Sequence, residues 1–224
     1  MAVLSLFSAI GLSAQEYQPR ETWPYVFDNF VEGNVMTKDG KVVKQGMFNI
    51  TVTDGSLHFM DSDRIMKADM ASVHFAKLGP ETYLNNHGKM YRVVVNSDNG
   101  FVLESVELDL EAKNEVNIGY GISSATASAR KMSGVFGASM NLTDMSFMKV
   151  VDQKNHGEVI PVKSKIWINV NGLMIEGTRK NVSEYPGIDP KAAKDFFKAN
   201  KPKWTDGEFL GKCLDFVCGQ LQKQ

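Results

Sequence analysis

The stretch that decides the fold is MYRVVVNSDNGFVLESVEL, which runs from Met90 to Leu108. Two runs rich in β-branched and aromatic residues flank the turn Asp98-Asn99-Gly100. Apolar and polar side chains alternate around an Asn-Gly turn, and this pattern predicts an antiparallel β-hairpin. Successive side chains of a strand point to opposite faces, so one face of the second strand carries Val102, Glu104, Val106 and Leu108, and the other carries Phe101, Leu103, Ser105 and Glu107.

The same strand-turn-strand pattern extends over residues 31–110 and returns over 145–178. The segment from Arg64 to Leu84 is less regular and predicts a short polar loop that runs into one strand. In total the pattern indicates roughly ten strands, enough for two packed sheets or a closed barrel. The turns that separate them include Lys38-Asp39-Gly40, Thr53-Asp54-Gly55, Asn86-His87-Gly88 and Asn171-Gly172, the last being a type I′ signal.

The pattern changes after Gly187, where two helices are predicted. Asp189 followed by Pro190 forms an N-cap signal, and Pro202 ends the first helix. The second helix begins at Thr205 or Asp206. We expect these helices to pack on the β-structure, and a partner-binding amphipathic helix is the alternative. The apolar face comprises Ala192, Phe196 and Ala199 in the first helix, and Phe209, Leu210, Cys213, Leu214, Val217 and Leu221 in the second.

The two cysteines, Cys213 and Cys218, lie within the second predicted helix. A spacing of five residues fits neither a redox Cys-x-x-Cys motif nor a zinc site. On a helix it also places the side chains about 140° apart, which disfavours a disulfide. We therefore predict two buried free thiols, with a disulfide as the alternative if the helix ends between them.

The composition is that of an ordinary globular protein. The chain has 224 residues, of which 43% are hydrophobic and 23% charged, and its formal net charge is −1. A nearly neutral chain with interspersed charges lacks the basic stripe that binds nucleic acid. We therefore predict no nucleic-acid partner.

The first residues, MAVLSLFSAIGLSAQ, combine an apolar run with the small residues Ser13-Ala14. This is the pattern of a secretory signal peptide over residues 1–14, cut after Ala14. No basic residue precedes Arg20, so we expect the true start to lie a few residues upstream. The apolar run is too short to span a bilayer, and no cysteine follows it to accept a lipid. The expected location is the periplasm or the outer envelope, with no transmembrane segment in the mature chain.

Four aromatic residues are candidates for interaction with a partner. Trp23 and Tyr25 lie in an aromatic leader over residues 15–30, which either packs in the core or forms an exposed arm. Tyr120 and Phe136 lie in a loop rich in Gly, Ser and Ala over residues 117–141. Loops of this length are disordered or functional, and a binding role is the alternative to disorder. The leader precedes a β-rich domain at 31–180, and a helical pair occupies 187–224.

No catalytic, cofactor or metal site is predicted. His58 and His74 lie in strand-like runs, and His87 and His156 lie beside turn glycines, so none shows a catalytic motif. Asp61-Ser62-Asp63 offers two carboxylates, but Arg64 follows where a calcium loop needs further oxygen ligands. A solvated turn is the favoured interpretation.

The early hairpin KDGKVVKQGMFNITVTDGSLHFM and the tail KDFFKANKPKWTDGEFLGKCLDFV follow the export signal that ends in SAQ. Together they resemble a group of uncharacterised exported proteins of Bacteroidetes-type bacteria. The resemblance implies a β-rich body closed by a short helical tail, and it carries no assigned activity and no site residues.

These observations predict a mainly β (α+β) fold, an antiparallel meander forming a sandwich or barrel-like body, with two C-terminal helices. They favour a non-catalytic binding or assembly module of the bacterial cell envelope, with an envelope protein as partner. Two alternatives stay open. One is a carrier of an apolar small ligand, which the twelve methionines would suit. The other is an enzyme of unrecognised type that acts on envelope glycans or peptides.

Overall fold

The computed structural model describes residues 20–21, 24–109, 159–160 and 162–222. These residues form mainly antiparallel β-structure followed by helices, which confirms the predicted fold class at that level. The described strands are β1 (Arg20–Glu21), β2 (Val31–Met36), β3 (Val42–Ile50), β4 (Leu57–Asp61), β5 (Arg64–Lys67), β6 (Phe75–Leu78), β7 (Glu81–Asn86), β8 (Lys89–Ser97), β9 (Gly100–Leu108), β10 (Val159–Ile160), β11 (Val162–Val170) and β12 (Leu173–Glu176), and the described helices are α1 (Arg179–Ser183), α2 (Pro190–Asn200) and α3 (Gly207–Leu221).

Ten of these strands form one hydrogen-bonded sheet with the order β12-β11-β9-β8-β7-β6-β2-β3-β4-β5. Strands β1 and β10 pair separately. Strands β8 and β9 are neighbours, as the hairpin signal predicted, and β11 lies on the other side of β9. Between β7 and β8, Tyr83 is paired with Arg92 and Leu84 with Tyr91. This register fixes which side chains share a face of the sheet.

The predicted turns are confirmed by the backbone. Asn171 and Gly172 have φ values of 52° and 83°, the two positive values that a type I′ turn requires. In the turn between β8 and β9, glycine is required at position 100 for a steric reason. A Cβ atom there would lie 2.2 Å from the carbonyl oxygen of Asn169. Only glycine permits the backbone of β9 to approach β11 this closely.

The region from Arg64 to Leu84 differs from the sequence prediction. It contains β5, β6 and the start of β7 in place of one loop and one strand. These strands are short and carry lysines, such as Lys67 and Lys77, so the apolar alternation is too brief to be recognised. Backbone bonds still define them, for example from the N–H of Asn85 to the carbonyl of His74 at 2.8 Å.

The chain divides into two compact units, each described here by itself. We call the first the β-unit; it comprises the described residues of Tyr17–Val93 and Leu103–Lys165. Its core is an apolar cluster on one face of its strands, in which Phe48 and Leu57 are fully buried. The other members are Val26, Val35, Ile50, Val52, Val73, Ala76, Leu78, Tyr83 and Met90.

The second unit, which we call the helical unit, comprises Val94–Val102 and the described residues of Ile166–Gln224. Both predicted helices are present, and each begins as expected. The Asp189 side chain accepts from the N–H of Lys191, and the Asp206 side chain accepts from the N–H of Glu208. The core contains Val94, Val102, Ile168, Val170, Ile175, Val182, Ile188, Ala193, Phe197, Phe209, Leu210, Cys213, Leu214, Val217 and Cys218.

The buried face of α2 is shifted by one residue from the prediction. Ala193 and Phe197 are buried, whereas Ala192 and Phe196 are half-buried and Ala199 is exposed. The rows of residues that start at Ala192 and at Ala193 are equally apolar, so periodicity alone could not choose between them. Aromatic rings of both rows are packed: the Phe196 ring stacks on Phe216 at 4.5 Å between centroids, and the Phe197 centroid lies 6.2 Å from that of Trp204.

A third helix was not predicted. Helix α1 is short, and the Thr178 side chain caps it by accepting from the N–H of Asn181 at 3.0 Å. Its fully buried Val182 belongs to the apolar core of the helical unit. One buried residue in five leaves no helical period to detect, so tertiary packing defines this helix. The predicted pair of helices is therefore preceded by an additional turn of helix.

The prediction of two buried free thiols is confirmed. Cys213 and Cys218 are both free and both buried on α3. Burial raises the pKa of Cys213 to about 12, so its thiol stays protonated and unreactive at neutral pH.

Several predictions fall outside the described residues. These are the signal peptide at 1–14, the small-residue loop at 117–141 and the strand at 146–151. Each helix that the structure describes is too short or too polar to cross a bilayer.

Candidate functional site

The structure describes one of the four aromatic candidates for interaction. Trp23, Tyr120 and Phe136 lie outside the described residues. Tyr25 is fully buried, forms an isolated β-bridge with Thr51, and packs edge-on against another ring of its segment. Its side chain therefore supports the β-unit from within, and a direct role for it in binding a partner stays a prediction.

The three described histidines have different environments. His87 is exposed in the turn between β7 and β8, where its φ is 51°. His74 packs edge-on against Phe75 at 4.5 Å. His58 is buried on β4, and burial is the main reason that its pKa is lowered to about 4. A general base works best with a pKa near the operating pH, so His58 is poorly suited to that role.

The Asp61-Ser62-Asp63 segment forms the exposed turn between β4 and β5, where Asp61 is paired with Arg64. The solvated turn predicted there is confirmed. Among the residues that the structure describes, no set of three or more His, Cys, Asp or Glu side chains converges as metal ligands would.

A charged and aromatic cluster lies on adjacent strands of the β-unit, and it is the site best suited to binding. Lys89 and Tyr91 are two residues apart on β8 and therefore share a face. Ser105 and Glu107 share a face of β9 in the same way, and Lys165 lies on β11. We call these five residues the Glu107 cluster.

Glu107 is the centre of the cluster. Its Oε1 accepts from Lys89 Nζ at 2.5 Å and from Ser105 Oγ at 3.1 Å, and its Oε2 lies 2.9 Å from Lys165 Nζ. Lys89 Nζ also lies 5.5 Å from the centroid of the Tyr91 ring, within the range of a cation–π contact. The side chains of Lys89, Glu107 and Lys165 keep between 23% and 32% of their surface exposed. The cluster is thus held in place yet reaches solvent.

The electrostatics of the cluster keep its carboxylate ionised. Burial raises the pKa of Glu107, but the hydrogen bonds and charges of Lys89 and Lys165 outweigh burial and lower it to about 2. Burial and the charge of Glu107 raise the pKa of Tyr91 against the opposing effect of Lys165. At neutral pH the cluster therefore presents fixed charges and a neutral phenol, an arrangement suited to binding.

A further pair extends the cluster along the same strands. Lys163 Nζ lies 3.4 Å from Asp109 Oδ1. Lys163 and Lys165 are two residues apart on β11, and Glu107 and Asp109 are two residues apart at the end of β9, so the charges follow one face.

A second charged group lies on the opposite face and is buried. The guanidinium of Arg92 donates to Glu104 through Nε at 2.8 Å and through its terminal nitrogen, and it also contacts Glu81 at 3.3 Å. The side chains of Arg92 and Glu104 are 7% and 2% exposed. Tyr83 donates from its hydroxyl to Glu81 at 2.7 Å. Arg92 and Glu104 thus have little contact with solvent, whereas Glu81 is partly exposed, and the role of the buried pair is to fix the strands.

The sequence contains a signal for the buried Arg92–Glu104 pair but none for the Glu107 cluster. Glu104 belongs to the apolar face of its strand together with Val102 and Val106, and a lone charge on such a face indicates a buried partner. The partner, Arg92, lies on the neighbouring strand β8. For the Glu107 cluster no signal was available, because Lys165 is 58 positions further along the chain than Glu107.

Comparisons with known proteins add no assignment to this geometry. No family model matches the chain, and no curated protein or solved structure is significantly similar to it.

Proposed function

We propose that the protein is an exported, non-catalytic binding or assembly module of the bacterial cell envelope, and that the Glu107 cluster is part of its binding surface. One observation carries the proposal: an ionised carboxylate is held between two lysines beside a half-buried tyrosine, on strands whose opposite face is packed. Such preorganised polar and aromatic groups on rigid strands favour recognition.

The pKa values of Glu107 and His58 support binding over acid–base catalysis by these two groups. Glu107, with a pKa of about 2, is a weak base at neutral pH, and His58 is both buried and neutral there. Neither group has a pKa near the working pH, which is the condition for efficient proton transfer.

The charges of the cluster indicate the chemistry of the partner. Lys89 and Lys165 carry the positive charges of the cluster, and Glu107 carries the negative charge between them. The pair of Lys163 and Asp109 is neutral. A partner with a carboxylate near an apolar or aromatic group would match the lysines and the Tyr91 ring.

The expected location rests on the sequence. The apolar run from Ala2 to Leu12 and the small residues before Gln15 have the pattern of an export signal. Fractionation of cells that produce the full chain tests this part of the proposal. Recovery in the cytoplasm would overturn the envelope location while leaving the binding role to be judged separately.

The binding role is tested by a crosslinked pull-down of the full chain from its native cell envelope, read by mass spectrometry. We expect a reproducible partner with the wild-type protein and about tenfold less with the double variant Lys89→Gln, Lys165→Gln, a loss of about 1.4 kcal/mol. Lys212→Gln is the matched control, because Lys212 pairs with Glu208 on the exposed side of α3.

Two results would contradict the proposal. One is the absence of any stoichiometric partner in the wild-type pull-down. The other is a partner that the double variant retains in full. The remaining parts of the account stay predictions, namely the sandwich or barrel-like body, the apolar-ligand carrier and the enzyme acting on glycans or peptides. Native mass spectrometry would favour the carrier if an apolar ligand accompanied the purified chain.

A further inference from the structure

Helix α2 and the residues that follow it carry a dense run of positive charge. Residues 189–203, DPKAAKDFFKANKPK, contain five lysines, two aspartates and no arginine. The chain as a whole has a formal net charge of −1, so its average composition conceals this local excess. All five lysines are exposed, and we call them the α2 lysines: Lys191, Lys194, Lys198, Lys201 and Lys203.

Three of the α2 lysines lie along one side of the helix. Each residue advances about 100° around an α-helix, so Lys191, Lys194 and Lys198 fall within an arc of about 60°. A different side of α2 is buried in the core of the helical unit through Ala193 and Phe197. Core packing therefore fixes the orientation of the helix and leaves its lysines facing outward.

Neighbouring acids do not neutralise this side of the helix. Asp195 is the one acid within α2, and neither it nor any α2 lysine forms an ion pair with another residue that the structure describes. Asp189 accepts from the backbone N–H of Lys191 as the N-cap. On α3 of the same unit, by contrast, Lys212 is paired with Glu208 at 2.7 Å.

This charge pattern is unfavourable for the helix itself. Lys194 is three residues from Lys191 and four from Lys198, and like charges at these spacings repel one another along a helix face. Lys191 also lies in the first turn, at the positive end of the helix dipole, and that turn holds no acidic residue. Helix stability therefore gives no reason for the pattern, whereas a negatively charged partner would.

Lys201, the C-cap of α2, is a second unfavourable placement. Its φ is 40°, in the left-handed region where glycine is the unstrained residue. Lys203 follows it and is itself followed by the half-buried Trp204. Two cations and an indole thus lie together at one end of the helix, and tryptophan is enriched where an apolar region meets water.

We propose that the α2 lysines form a docking surface for a bilayer that contains anionic phospholipids. Charge complementarity favours this partner, because clusters of about four to eight basic residues are attracted to anionic headgroups. Lysine is a compact, hydrated charge, whereas recognition of a single carboxylate or phosphate favours the planar fork of arginine, which this segment lacks. Trp204 suits the headgroup region of the same surface.

Co-sedimentation of the purified full chain with vesicles tests the proposal. The vesicles contain no protein, so failure here is distinct from failure of the Glu107 cluster in the envelope pull-down. We expect binding to phosphatidylcholine vesicles with one third phosphatidylglycerol and none to phosphatidylcholine alone. Binding should vanish at an ionic strength of about 0.5 M, where charges are screened within a few ångströms. Binding to neither vesicle, equal binding to both, or binding unaffected by salt would overturn the proposal.

A triple variant tests the lysines on the helix. Lys191→Gln, Lys194→Gln, Lys198→Gln should weaken binding to the anionic vesicles about a hundredfold, or about fivefold for each lysine. Glutamine is a good helix former, so α2 should persist. The matched control makes the same change at three exposed lysines of the β-unit and should leave binding nearly unchanged; these are Lys38, Lys41 and Lys77. Equal losses in the two variants would show that only overall charge matters and would overturn the proposal.

Lys201→Gly separates charge from structure at one position. Glycine relieves the backbone at a φ of 40°, so the thermal midpoint should not fall, while binding to the anionic vesicles should weaken about fivefold. Unchanged binding would contradict the proposal, because the assigned surface includes Lys201. Polyglutamate is the competing partner, and tighter binding to it than to anionic vesicles of equal charge would indicate an acidic polypeptide and overturn the lipid assignment.

Discussion

Buried polar side chains are distributed unequally between the two units. Of the eight buried polar or charged side chains among the described residues, seven belong to the β-unit and Asn169 alone belongs to the helical unit. The helical unit instead buries an apolar cluster that includes two thiols. The seven in the β-unit are Asn49, Thr51, Ser56, His58, Arg92, Glu104 and Ser105.

The two units are therefore stabilised in different ways, one by an apolar core and the other by a core that also contains buried polar networks. An apolar core is stabilised by area and close packing, and it responds to lost volume. A buried polar network contributes less net stability, but it fails sharply when one partner is removed. The stability of the β-unit therefore depends on every buried polar side chain keeping its hydrogen-bond or ion-pair partner. The same interactions preorganise its charged surface.

The largest effect is expected from Arg92→Met. The change leaves Glu104 buried without its cation, which costs about 3–5 kcal/mol in the free energy of unfolding. Urea unfolding of the full chain measures it. The double variant Arg92→Met, Glu104→Leu should recover most of that loss, because a buried ion pair can be replaced by apolar groups. A double variant no more stable than the single one would contradict this account of the pair.

In the helical unit, Leu214→Ala should cost about 2–5 kcal/mol, since the side chain is fully buried in the apolar cluster. Urea unfolding again provides the measurement. Unlike the loss in Arg92→Met, this loss of stability should not be recovered by a second apolar substitution, because a cavity leaves no unpaired group that could be removed. A loss below 1 kcal/mol would show that the unit collapses around the gap.

A smaller effect separates the two thiols. Cys213→Ser places a hydroxyl in an apolar surrounding and should cost about 1–3 kcal/mol. Cys218→Ser is the matched control, because Nε2 of Gln222 lies 3.1 Å from its sulfur and can bond the new hydroxyl. Thermal unfolding should rank Cys213→Ser as the less stable protein, and the reverse order would contradict the assignment.

The smallest of these effects concerns Glu107. Its lowered pKa means that the wild-type protein keeps a contribution to stability above about pH 4.5 and loses it as the pH falls towards 2. Glu107→Gln should therefore flatten the stability curve in that window, lower the free energy of unfolding at neutral pH, and approach the wild-type value near pH 2. Unfolding measured at pH 2 to 6 tests this, and identical curves for both proteins would refute the ion cluster.

Much of the fold could be predicted because local chemistry encodes it. Asn171-Gly172 and the other turns require positive φ, and Asp189-Pro190 and Asp206 specify helix starts. Of strands β5 to β7 the sequence predicts only one, and it does not predict helix α1, since these elements are short and depend on tertiary packing. The residues of the Glu107 cluster come from distant parts of the chain, so no local pattern marks them.

The most direct test of the central claim places a photoreactive amino acid in the full chain within native envelopes. The group replaces Tyr91 in the Glu107 cluster or, in the matched protein, Phe216 on α3 of the helical unit. The account predicts a crosslinked partner from position 91 and none from position 216. Crosslinking from position 216 alone, or from neither position, would contradict a binding role for the charged face of the β-unit.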